Sequence, residues 1–173
     1  MISTASMLGD ANALKCELAG EVLRSSGSLR LRVTGWSMLP TIMPGDTLMI
    51  DRVQSDEVCE GDVILFGRDR RFFVHRVKVH RVKAKGSDRQ AAEFVTCGDA
   101  MPAPDSPISE SELMGKVSFI LRNGKCIVPA RSLTLPERAV AALARRSILA
   151  ARVVVGVHGM QSIGGFNRNV QAN

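Results

Sequence analysis

The sequence contains no tyrosine and a single tryptophan, and aromatic residues make up only 4% of it. Nucleic-acid bases would find little to stack on, so nucleic acid is not an expected partner. The four cysteines, Cys16, Cys59, Cys97 and Cys126, are widely spaced and form no Cys-x-x-Cys pair. That pattern excludes a dense disulfide framework and a cysteine-rich zinc site, and no metal or other cofactor is expected. Scattered buried thiols in a reducing compartment are the simplest reading. The first 14 residues lack the basic start and apolar stretch of a secretory signal. Nowhere do the roughly 18 apolar, uncharged residues of a membrane-spanning helix occur together. The expected location is therefore cytoplasmic, or peripheral at a membrane.

What is present fits one domain with extensions: 173 residues, 45% hydrophobic, enough to bury a core. The formal charge of +6 favours anionic surfaces, and composition does not choose among lipid head groups, nucleic acid and acidic peptides.

Hydrophobic periodicity predicts a mostly β chain. A helix is expected over residues 10–26, opened by Asp10, closed by Gly27, with Leu14, Leu18, Val22 and Leu23 on one face. Alternation predicts a strand over 29–34, with others at 47–53 and 62–66. Residues 72–83 and 92–96 read as a hairpin across a polar turn, and 113–128 as two strands broken at Asn123-Gly124. Pro136 opens a helix expected to run to about residue 155, with Arg138, Arg145, Arg146 and Arg152 along one stripe. Such a helix could lie on an anionic membrane or pack on the domain with its arginines in water. The second is favoured, because the apolar face is mostly alanine.

The chemistry centres on Ser37. Gly35 stands two residues before it and Pro40 three after, while Met38, Leu39, Ile42 and Met43 put apolar surface beside the hydroxyl. A nucleophilic serine needs such a fixed and partly dry setting. The run Ser37-Met38-Leu39-Pro40-Thr41-Ile42, followed by Gly45-Asp46, resembles the nucleophile box of the signal peptidase I-like serine peptidases. Three later stretches resemble further boxes in the same order: residues 61–66, then Phe73-Val74-His75-Arg76-Val77, then Thr96-Cys97-Gly98-Asp99 with Asp105 beyond. The resemblance covers about residues 30–120. A histidine in the base box resembles the endoplasmic-reticulum and archaeal type, but the membrane anchor of signal peptidases proper is absent from the sequence.

The resemblance implies a β-barrel-like core, shared with SOS-type repressors, over residues 29–130. An N-terminal helical extension (1–28) precedes it and a C-terminal helix and tail (131–173) follow. It implies an acyl-enzyme mechanism in which Ser37 attacks a peptide carbonyl and His75, 38 residues later (75 − 37), exchanges the proton. Asp99 and Asp105 are the candidates to orient His75, Gly98-Asp99 being the better match. Gly35, Met38, Leu39 and Pro40 are the expected substrate contacts, and the Ser37 N–H the expected oxyanion donor. His80 repeats the His-Arg-Val pattern but, five residues from His75, should face the opposite side of its strand. His158 falls in the tail and is expected to be inert. The Gly45-Asp46 and Gly61-Asp62 pairs are expected to be turns.

The expected function is a serine endopeptidase cutting a peptide or precursor protein, as in signal-peptide processing. The alternative is an inactive relative that binds a peptide without cutting it. A self-cleaving repressor, with Ala19-Gly20 as the cut, is disfavoured by the histidine base and the short segment before Ser37. Oligomeric state is not readable.

Overall fold

The structure is a computed structural model that describes residues 4–85 and 89–146, with side chains over 14–81 and 92–146. Helix α1 (Thr4–Ser26) precedes strands β1 (Ser28–Arg32), β2 (Thr47–Asp51), β3 (Val63–Arg68), β4 (Arg71–Lys85) and β5 (Arg89–Cys97). The short β6 (Ile108–Ser109) leads to β7 (Leu113–Arg122), β8 (Lys125–Ile127) and helix α2 (Leu135–Arg146). The chain is mostly β, as expected. One eight-stranded antiparallel sheet runs β1-β2-β7-β3-β4-β5-β6, with β8 paired to β7 as a hairpin through Asn123-Gly124. Both turn residues have positive φ, 51° and 74°, the conformation a tight hairpin requires. The expected barrel-like core is in fact an open sheet: among the described residues no pairing joins β1 to β6.

Strand β3 explains the layering. Its run Val63-Ile64-Leu65-Phe66 is buried on both faces, so it reads as continuously apolar instead of alternating. Val63 and Leu65 join Leu48, Ile50, Val117 and Ile120 in one cluster. Ile64 and Phe66 join Val77, Phe94 and Ile108 in another.

Helix α1 begins six residues before Asp10, which is therefore not its cap. Its inward face also differs from the expected one. Ala19 and Leu23 are buried, whereas Leu14, Leu18 and Val22 are 56%, 57% and 41% exposed. Small residues decide this, since Gly20 lets the helix lie close to Met114 on β7, with Cys16 beside it. The cysteines are free, but only Cys97 is buried, while Cys59 and Cys126 are exposed. The expectation of generally buried thiols holds for one of them.

Helix α2 opens on a side-chain contact the hydropathy pattern does not reveal: the Thr134 N–H and hydroxyl both donate to the Glu137 carboxylate. Arg138, Arg145 and Arg146 lie in it, whereas Arg152 and His158 fall outside the described residues. Among the described residues no helix is long and apolar enough to cross a membrane.

Candidate active site

Ser37 lies in the loop joining β1 to β2, and that loop is closed at its base. The Val33 N–H donates to Asp46 O and the Gly45 N–H to Val33 O. Met43-Pro44-Gly45-Asp46 forms the expected turn, with Gly45 at φ 95° and the buried Asp46 carboxylate accepting the Met43 N–H. Arg122, at the end of β7, donates to that carboxylate and to Thr41 O. The same turn recurs at Cys59-Glu60-Gly61-Asp62, where the Asp62 carboxylate accepts the Cys59 N–H. The nucleophile segment is thus held from below by buried charge and from within by Ile42 and Met38 in the core.

His75 sits on β4 opposite Ile64 of β3. The residue is 5% exposed, and its ring packs beside Phe66 and Phe73, with centroids 6.0 and 6.1 Å away. Its Nε2 lies 3.1 Å from Ser37 Oγ and its Nδ1 2.6 Å from Asp105 Oδ2. The Asp105 carboxylate also accepts the Thr96 hydroxyl, and its N–H donates to Thr96 O. Burial pushes the Asp105 carboxyl up, but hydrogen bonds from His75 and Thr96 and the nearby charges bring it below the ordinary carboxylate value. An ionised carboxylate only accepts, so Nδ1 carries the proton and Nε2 is left to accept from the serine hydroxyl.

The loop after Asp105 is held by Arg68, which donates to Ser106 O and Pro107 O and pairs with Glu112. Arg68 lowers the Glu112 carboxyl to about 2. A depressed carboxyl contributes stability that is complete above its unfolded value and lost as pH falls through the folded one, so this brace survives mild acid.

The two aspartates divide differently from their match to the family pattern. Asp99 does not reach His75: its buried carboxylate takes two hydrogen bonds from Arg76, at 2.8 and 2.7 Å, and one from the Thr41 hydroxyl. The proline-rich loop 102–107 instead carries Asp105 back to Thr96 and the histidine.

Of the four expected substrate contacts, Gly35 and Met38 line a cleft of about 220 Å³ beside Ser37 and His75, floored by Leu31, Val33 and Phe72. Leu39 and Pro40 do not. The chain coils here, with the Ile42 N–H on Met38 O, so Leu39 turns away, fully buried against Met43 and Ala144 of α2. His80 is not across the strand from His75 either. A bulge between Val77 and Val79 restores it to the same face, where it stacks on Phe94 at 4.8 Å and does not approach Ser37.

Gly98 is the residue that sequence reasoning passed over, reading it only as a marker for Asp99. A Cβ there would lie 2.6 Å from Ser37 O and 3.1 Å from His75 Nε2. The neighbouring Ala100 N–H donates to the same Ser37 carbonyl. Gly98→Ala must therefore push serine and histidine apart. We expect it to slow modification of Ser37 by an acylating probe at least about a hundredfold, as misplacement of about 1 Å does at other sites. An unchanged rate would show that the loop yields instead.

The Peptidase S24-like family model matches residues 7–86, just under half of the chain, including Ser37 and His75 but neither Asp99 nor Asp105. No curated protein and no solved structure matches the chain.

Proposed function

We propose, from the match to the Peptidase S24-like family and the geometry beside it, that the chain is a serine endopeptidase in which Ser37 is the nucleophile, His75 the general base and acid, and Asp105 the residue that orients His75. The observation that carries this reading is the continuous chain from Ser37 Oγ through both His75 nitrogens to Asp105, at 3.1 and 2.6 Å. A serine hydroxyl is a weak nucleophile until an adjacent base can take its proton. In the proposed reaction Ser37 Oγ bonds to the peptide carbonyl carbon as its proton passes to His75 Nε2. The protonated ring then gives that proton to the leaving amine, and water releases the acyl group by the same route in reverse. Asp105 stabilises the imidazolium, and the Ser37 N–H serves the oxyanion.

The substrate is read as a peptide segment that places an apolar side chain against Leu31, Val33 and Met38. Cleavage in trans is favoured over self-cleavage at Ala19-Gly20, because that bond lies inside α1 and Ala19 is buried. The helical Ala19-Gly20 bond, with Ala19 buried, supports reading the chain as a peptidase acting on another molecule over a self-cleaving repressor.

The test is labelling with a fluorophosphonate, read by intact mass, on wild type, Ser37→Ala and His75→Ala. The expected result is one adduct on wild type and none on either variant. Folded wild type that takes no label would overturn the enzymatic reading and leave peptide binding.

A further inference from the structure

Further along β4 from the substrate cleft, a second cleft of about 460 Å³ lies between residues 76–78 and the segment that runs through α2. Five cations, Arg76, Lys78, Arg131, Arg138 and Arg145, line it with a single carboxylate, Glu60. Two of the five are neutralised, Arg76 by Asp99 and Arg131 by Asp62. The arginines of α2 are held differently. Arg138 donates to Leu133 O and Arg145 to Asp99 O, both main-chain carbonyls. A carbonyl fixes a guanidinium in place without cancelling its charge, and the remaining N–H groups are free to serve a ligand. Lys78 has no carboxylate partner among the described residues.

Like charges gathered at one cleft repel each other, and an anion with several acceptor oxygens relieves that repulsion. Residues 147–173 contain no Asp or Glu, so no side chain of that segment can supply the negative charge. Planar guanidinium forks suit phosphoryl oxygens in particular. We propose that this cleft binds a small soluble ligand bearing phosphoryl groups, gripped by Lys78, Arg138 and Arg145. The site is independent of the peptidase reading and does not need Ser37.

The experiment is isothermal titration of the full chain with pyrophosphate at low ionic strength. Saturable binding of one ligand per chain is expected. Lys78→Gln and Arg138→Gln should each weaken it about tenfold, the loss of one charge-assisted contact. Arg30→Gln, an exposed arginine on β1, should leave it unchanged. Lys78 and Arg138 are both exposed, and if one variant misfolds by circular dichroism the other decides. Absence of saturable binding to wild type would overturn the proposal, as would an equal loss in Arg30→Gln, which would mean diffuse attraction. Sedimentation with phosphatidylglycerol vesicles that pyrophosphate does not reverse would also overturn it, in favour of a lipid surface.

Discussion

Asp105→Asn is expected to slow acylation of Ser37 by about three to four orders of magnitude while leaving the fold intact. The carboxylate can only accept, and so fixes the His75 proton on Nδ1. An amide in its place can donate to Nδ1, which moves the proton to Nε2 and removes the acceptor facing the serine. The Thr96 hydroxyl keeps a partner in either case, so packing around position 105 is little disturbed. The check is the rate of fluorophosphonate labelling by intact mass, with the urea midpoint as a control for stability. Asp99→Asn provides the contrast, since it should cost stability well before it costs rate. Labelling of Asp105→Asn at the wild-type rate would remove Asp105 from the mechanism.

Arg76→Met should destabilise the chain by about 3–5 kcal/mol, the range for breaking a buried ion pair from one side. The side chains of Arg76 and Asp99 are 4% and 0% exposed. Besides Asp99, the guanidinium serves Gly61 O and Ala130 O, joining the turn before β3 to the segment leading into α2. Removing it leaves a buried carboxylate with only the Thr41 hydroxyl. The urea midpoint measures the loss. Adding Asp99→Leu to Arg76→Met should recover part of it, because the uncompensated charge, not the missing cation, dominates the penalty. A single variant within about 0.5 kcal/mol of wild type would mean that water reaches this pair.

The contrast between the two aspartates marks where sequence reading stops. Strand β1 is legible because burial on one face imposes a period on it, β3 because burial on both faces makes it a short apolar run, and the Asn-Gly hairpin because its φ values demand those residues. Ser37 and His75 were legible because their neighbours repeat a family pattern in order. Asp105 was less so, since its position depends on how a loop with three prolines folds back, and a loop carries no period. The bulge at Val77–Val79 is likewise invisible to a parity count, which puts His80 on the wrong face. Arg76 carries no sequence signal of burial. Its burial follows from Asp99, which meets it only in three dimensions. The inward face of α1 departs from the hydropathy pattern because close packing favours small side chains over the larger apolar ones beside them.

The order of strands also bears on when the site can exist during synthesis. Between β2, which follows the serine loop, and β4, which carries the histidine, stand β7 and β3. Strand β7 leaves the ribosome after all the residues of the proposed triad, and its last residue, Arg122, ties down Asp46 and Thr41 beneath the serine. A nascent chain that stops short of β7 therefore holds nucleophile and base on two unconnected pieces of sheet. Under the proposed mechanism such a chain would have an ordinary serine hydroxyl, and reactivity would arrive late, with the strand that joins the halves.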